Sequence, residues 1–103
     1  MRTTLPMEPR GWTYMLASRR NGTLYVGSAT DLSWRIYEHK EKLRPGFTST
    51  YDVTTLVWYK GYPSLIEALH REYAIKKGRR VWRIALIERM NPDWRDLYEE
   101  LNS

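Results

Sequence analysis

The stretch Tyr25-Val26-Gly27-Ser28-Ala29-Thr30-Asp31-Leu32-Ser33-Trp34-Arg35-Ile36-Tyr37-Glu38-His39 reads as strand, turn and helix, and that reading decides the fold. Tyr25, Val26 and Gly27 close a β-type run, the small residues after them let the chain bend, and Asp31 stands where a helix N-cap belongs. At 100° per residue, Leu32, Ile36, His39 and Leu43 fall within one arc of that helix, with Arg35 at its edge. An arginine and a histidine one turn apart therefore point toward the buried side, which leaving them unpartnered would make costly.

Upstream, Trp12 to Ser18 is rich in β-formers, and Asn21-Gly22 marks a hairpin whose returning strand is Thr23 to Gly27. A two-residue turn would set Ser18 opposite Tyr25 and Leu16 opposite Gly27, leaving Tyr14 and Tyr25 on one face but roughly 13 Å apart along the strand. A longer loop would bring them closer, and the sequence leaves both registers open. Residues 1–11, with Pro6 and Pro9, form a lead-in.

Downstream, the first helix spans Leu32 to Leu43 and ends at Arg44-Pro45-Gly46, with a polar loop from Phe47 to Asp52. β-branched and aromatic residues from Val53 to Tyr59 make a third strand. Gly61-Tyr62-Pro63 turn into a second helix, where Ser64 and Glu67 have the spacing of a capping box and Gly78 breaks the chain after Lys77. Arg79 to Met90 is a third helix, with Val81, Trp82, Ile84, Ala85 and Ile87 available for packing. Asn91-Pro92 begins a short acidic last helix around Trp94, Leu97 and Leu101. The expected fold is α/β of the α+β type: a three-stranded antiparallel sheet flanked by helices in the order β-β-α-β-α-α-α. One domain covers residues 12–90, and 91–103 pack on it.

The composition agrees with one small folded domain, at 103 residues and 42% hydrophobic with 5 Trp and 8 Tyr. No apolar run is long enough to span a bilayer and Met1 to Pro9 lacks the apolar core of a signal peptide, so the cytoplasm is the expected compartment. The absence of cysteine excludes disulfides, thiolate metal sites and cysteine nucleophiles, leaving the chemistry of Tyr, His, Arg, Lys and carboxylate. The net charge of +5 is uneven: residues 1–90 carry 16 Lys and Arg against 8 Asp and Glu, whereas Arg95 faces Asp93, Asp96, Glu99 and Glu100 beyond them. A basic body with an acidic tail favours a polyanion, most simply nucleic acid.

On the second helix an apolar arc of Leu65, Ile66, Ala68, Leu69, Tyr73 and Ile75 encloses Glu72 and Lys76. Taken singly, each odd residue has a plain explanation. An i, i+4 ion pair with Lys76 accounts for Glu72, a backbone-bonded core histidine for His39, a half-buried stem for Arg35, and strand aromatics for Tyr14 and Tyr25. Taken together, tyrosine, arginine, histidine and glutamate directed inward from a sheet and two helices make a phosphodiester-cleaving set.

These residues resemble the GIY-YIG nuclease domain family, most closely its small single-domain branch, similar to the N-terminal nuclease module of the bacterial excision-repair incision subunit. Tyr25-Val26-Gly27 stands as the second half of the signature, followed by Arg35 ten residues after the tyrosine and by His39 within Glu38-His39-Lys40. The first half keeps only its tyrosine, in Trp12-Thr13-Tyr14, and the helical glutamate matches Glu72 within Arg71-Glu72. The resemblance covers about residues 12–90. Asn91 is the nearest candidate for the asparagine seen late in many members, but its spacing from Glu72 is wrong and it is not carried over.

The resemblance implies a metal-dependent endonuclease that hydrolyses DNA phosphodiester bonds, in repair or recombination. Glu72 would hold one Mg²⁺ or Mn²⁺ together with waters and phosphate oxygens. Arg35 would neutralise charge building on the phosphate, Tyr25 would act as general base with Tyr14 as an orienting hydroxyl, and His39 would orient the tyrosine or relay its proton. All five are expected on one concave surface. Lys76, Lys77, Arg79, Arg80 and Arg83 make either a DNA phosphate-contacting surface or a solvated basic face. No base-reading module is present, so specificity would come from DNA shape or a protein partner. Two other readings stay open: a non-catalytic nucleic-acid-binding module of the same fold, and a protein-interaction domain docking through its acidic tail or tryptophans.

Overall fold

The computed structural model describes residues 8–101, so most of the lead-in expected over 1–11 lies outside the described residues. The elements run β1 (Gly11–Ala17), β2 (Leu24–Ala29), α1 (Leu32–Lys40), α2 (Phe47–Thr50), β3 (Thr55–Tyr62), α3 (Leu65–Lys77), α4 (Arg80–Met90) and α5 (Tyr98–Leu101). The three strands form an antiparallel sheet, as the sequence predicts, in the spatial order β2-β1-β3, with one more short helix, α2, than expected.

The β1–β2 hairpin has the longer loop. Ser18 pairs with Thr23 through a 3.0 Å backbone bond, and Arg19 to Gly22 form the turn, with Asn21 in the left-handed region at φ 58°. Leu16 therefore faces Tyr25 and Tyr14 faces Gly27. Relative to a two-residue turn the register moves by two positions, which keeps every side chain on its face while sliding Tyr25 toward Tyr14.

Alternate residues of β1 feed two cores, one on each side of the sheet. Tyr14 and Leu16 pack with Leu32 and Ile36 of α1, Val53, Leu56 and Leu97 on one face. Met15 and Ala17 pack with Val26, Val57, Trp58, Ile75 of α3, Ile87 of α4 and Trp94 on the other. A bulge in β3, where Val57 is inserted between the partners of Leu16 and Met15, puts both Val57 and Trp58 into the second core.

Both expected N-caps form: Asp31 Oδ1 accepts from Trp34 N at 3.0 Å, and Ser64 Oγ from Glu67 N at 3.2 Å. Other boundaries differ. Helix α1 stops at Lys40, before Pro45 is reached, because Lys42 turns left-handed at φ 53° and the amides of Lys42 and Leu43 close onto His39 and Glu38 carbonyls. Leu43, expected on the buried arc, is consequently exposed. Strand β3 runs through Gly61 to Tyr62 because Gly11 and Trp12 extend the ladder to meet it. The last helix shrinks to Tyr98–Leu101. Asn91 is buried and its side chain donates to Val57 O and Arg95 O and accepts from Arg95 N, tying residues 91–95 down in a non-helical strap.

The packing face of α3 also differs from the expected arc. Ala68 and Ile75 are buried, whereas Ile66, Leu69 and Tyr73 are exposed. The Ala68 carbonyl accepts from Thr13 Oγ1 at 2.7 Å and Ser28 Oγ at 3.2 Å, so the helix lies close on the sheet along its small-residue side. Close backbone approach outweighs the larger apolar side chains. On α4, Ile87 is buried and Ile84 and Leu86 pack beside it, while Val81 and Trp82 remain exposed. No helix among the described residues is long and apolar enough to cross a membrane.

Candidate active site

Strand β1 carries Tyr14 into the interior with no exposed surface. Its ring lies across Gly27 of β2, where a Cβ would sit 2.6 Å from the Tyr14 hydroxyl and 2.7 Å from Cζ. The glycine of the Tyr25-Val26-Gly27 motif is thus a packing requirement: any side chain there would occupy the place of the phenol. Helix α1 brings His39 over the same spot, with its Nε2 2.9 Å from Tyr14 Oη and its Nδ1 3.0 Å from Thr48 Oγ1 on α2. Tyr25 packs edge-on to the His39 ring at 5.5 Å between centroids and lies 6.2 Å from the Tyr14 ring.

Burial, reinforced by Tyr25, raises the Tyr14 phenol well above the usual tyrosine range; the nearby Arg35 opposes this by charge and hydrogen bonding, and Glu72 adds slightly to the rise. Tyr14 therefore keeps its proton. Burial, followed by the positive charge of Arg35, lowers His39 from 6.5 to about 4, with Glu38 opposing and Arg44 assisting, so the ring is neutral at pH 7. The direction of the chain of hydrogen bonds follows. The Tyr14 hydroxyl keeps a buried proton that needs an acceptor, and the acceptor within reach is His39 Nε2 at 2.9 Å. Nδ1 then carries the imidazole hydrogen and donates to Thr48.

In front of this cluster lies a cavity of about 160 Å³ lined by Tyr25, Arg35, Glu38, His39, Arg44 and the segment 45–48. Glu38, with only 12% of its side chain exposed, holds both arginines: Arg35 Nε at 3.1 Å and Arg44 Nε at 3.5 Å. Two cations on one anion leave the cavity positive. Arg35 Nη1 is engaged only loosely, 3.4 Å from Ser28 O, and the residue lines the cavity.

Of the five residues expected on one surface, Tyr25, Arg35 and His39 line the cavity and Tyr14 stands directly behind them. Glu72 does not line it. It rides on α3, which covers the opposite face of the sheet, and its carboxylate pairs with Lys76 Nζ at 2.5 Å. Its charge still reaches Tyr14. Among the described residues no three His, Asp or Glu side chains gather as a metal cage. Glu72, paired with Lys76, offers a single carboxylate, a hard-oxygen donor that would leave most of a divalent cation's coordination to waters and substrate.

The basic residues divide. Arg80 donates to the carbonyls of Asn21 and Gly22 in the hairpin turn at 2.8 and 2.6 Å, and Arg83 to those of Ile75, Lys76 and Gly78 at the end of α3. Lys76 pairs with Glu72, Lys77 lies 4.9 Å over the Tyr73 ring, and Arg79 is the exposed N-cap of α4. Glu38, Arg44 and Thr48 are absent from the sequence-based set. The i, i+3 spacing of Arg35 and Glu38 was a usable signal for the first. Nothing local marks the other two: Arg44 reads only as the end of the first helix and Thr48 as part of the loop that follows.

Residues 10–85 match the sequence profile of the GIY-YIG catalytic domain. Over 68 residues the chain is 32% identical to a UPF0213 protein of Staphylococcus epidermidis and 34% identical to one of Staphylococcus aureus, covering in each case 66% of this chain and 83% of the relative. The fold is similar to the solution NMR structure of a UPF0213 protein from Bacillus halodurans, with a TM-score of 0.52 at 26% identity, covering 84% of this chain and 90% of that one.

Proposed function

Because the chain belongs to the GIY-YIG catalytic-domain family, a nuclease superfamily, we propose that it is a metal-dependent endonuclease hydrolysing DNA phosphodiester bonds, working in the cytoplasm in repair or recombination. The observation that carries this reading is Arg35 held by Glu38 in a positive cavity beside the Tyr14–His39–Tyr25 cluster. A scissile phosphate in that cavity would meet the Arg35 guanidinium, which neutralises charge as it builds on the phosphoryl oxygens.

Tyr25 is the tyrosine that lines the cavity, so it is the one to take the proton of an attacking water. Tyr14 is fully buried and acts through His39 and Arg35 rather than on the water. With both nitrogens bonded, His39 orients Tyr14 and presents its ring edge to Tyr25. A divalent cation on Glu72 would supply charge stabilisation at the leaving oxygen. Lys76, Lys77 and Arg79, with any free donors of Arg80 and Arg83, would contact flanking phosphates without reading bases, so a protein partner or DNA shape would set specificity.

One observation favours the second reading, a non-catalytic nucleic-acid-binding module: Glu72 is paired with Lys76 outside the cavity. Plasmid nicking with and without Mg²⁺, using Glu72→Gln and Arg35→Lys, separates the two. The nuclease reading expects parent nicking only with metal and two folded, DNA-binding variants: Glu72→Gln with its nicking collapsed, and Arg35→Lys slowed on the order of 10²–10³-fold, the usual loss for one preorganised donor. A parent that binds DNA but never nicks, or variants that nick at the parent rate, would overturn it.

A further inference from the structure

At about 160 Å³ the cavity is well below the roughly 300–1,000 Å³ of pockets that enclose a drug-sized ligand, so it admits a phosphate group but not a whole nucleotide. The sugar and base beside a bound phosphate must lie on its rim. Part of that rim is the segment Arg44 to Phe47, where Gly46 takes φ 150°, a conformation that favours glycine, and starts the short helix carrying Phe47. Phe47 is 49% exposed, and among the exposed large apolar side chains of the described residues it is the one that lines this cavity. Its ring packs on Tyr51, itself exposed, at 4.9 Å between centroids. Neither ring belongs to the two cores. Folding therefore does not account for an aromatic pair held half in water beside two arginines.

We propose that Phe47, backed by Tyr51, is a stacking platform for an unpaired nucleobase adjacent to the phosphate in the cavity, so that the preferred substrate is a DNA strand that is single-stranded at the point of cleavage. This rests on the phosphodiesterase reading above. In a duplex both faces of each base are covered by neighbours; an unpaired base offers a free face, and a cationic groove joined to an aromatic surface is the usual way of holding a single strand. The exposed pair Trp34 and Tyr37, stacked at 5.3 Å, borders a recess lined by Asp31 and Ser33 and by neither cavity arginine, a poor setting for a phosphate chain.

The test uses the full chain with Phe47→Leu and Tyr51→Leu, which keep apolar bulk and remove the π face. Binding to one labelled deoxyoligonucleotide, as a single strand and as a duplex, is measured in EDTA so that cleavage plays no part, with thermal melts confirming that the variants fold. Phe47→Leu should weaken single-strand binding on the order of 10- to 100-fold and leave duplex binding unchanged. A 2-aminopurine in the strand should lose fluorescence on binding the parent but not the variant. Equal loss on both DNA forms, or no loss, would overturn the platform. A parallel cleavage assay of the parent with Mg²⁺ on circular single-stranded DNA and on plasmid shows which idea has failed: cleavage with indifferent variants sinks the platform alone, whereas no cleavage of either DNA sinks the nuclease reading and this one with it.

Discussion

A methyl group added at Gly27 would lie 2.6 Å from the Tyr14 hydroxyl, closer than any non-bonded carbon and oxygen settle, so the distance from Tyr14 to His39 depends on one missing side chain. The next link of that chain is equally specific. Thr48 is buried, and its hydroxyl holds His39 Nδ1 at 3.0 Å. Thr48→Val keeps the shape but leaves the Nδ1 hydrogen without an acceptor, at a cost of about 1–3 kcal/mol, and frees the imidazole to move its hydrogen to Nε2. Thr48→Ser should restore the parent state. Nitrogen NMR of the His39 ring checks this directly: Nδ1 protonated in the parent and in Thr48→Ser, a mixture in Thr48→Val. A parent ring protonated at Nε2 would reverse the direction assigned to the chain.

At the level of elements, the junction of α3 and α4 carries structural support and, on the proposed function, phosphate contacts, and the two can be separated. Arg83 gathers three carbonyls at the C-terminal end of α3, groups that a helix leaves without intrahelical partners. Arg79, at the N-cap of α4, makes no side-chain capping bond and is exposed. Arg83→Ala should lower stability by roughly 1–3 kcal/mol through the carbonyls it strands. Arg79→Ala should leave the melt unchanged while weakening DNA binding for all sequences alike and reducing the salt slope by about one. Denaturant titration beside binding at several salt concentrations decides between them. If Arg79→Ala melts early, or leaves the salt slope as it was, the phosphate surface lies elsewhere.

Across the whole molecule, the strap after α4 belongs to the fold although the family match ends at residue 85. Trp94 enters one core and Leu97 the other, with the Leu97 amide bonded to Leu56 O at 2.8 Å; Asp96 accepts from Leu56 N and pairs with Lys40. The strap thus fastens β3 to α1, the helix that carries Arg35 and His39. Leu97→Ala removes a fully buried side chain from the core that includes Tyr14 and should cost about 2–5 kcal/mol. In a small domain of marginal stability that loss should show as a cooperative transition shifted to much lower denaturant with a similar slope. An unchanged midpoint would mean that the strap only decorates the surface.

The sequence by itself determined the strand-turn-helix at Tyr25–His39, the caps at Asp31 and Ser64, the three strands and the family motif. Apart from the motif, whose Tyr14 and Glu72 lie far from its centre, each is legible because it rests on residues within a few positions of one another. Only the tertiary structure decided the rest. The hairpin loop has four residues rather than two, and both lengths keep the same faces, so the core pattern could not choose between them. Helix α3 packs by Ala68 instead of Leu69 because the Thr13 and Ser28 hydroxyls draw its backbone close to the sheet, and this leaves Glu72 beside Lys76 rather than in the cavity. Thr48 and Arg44 join the site through the reversal that follows Lys42 and Gly46. Contacts between segments far apart in sequence are settled by which backbones can approach most closely, and that competition has no local signature.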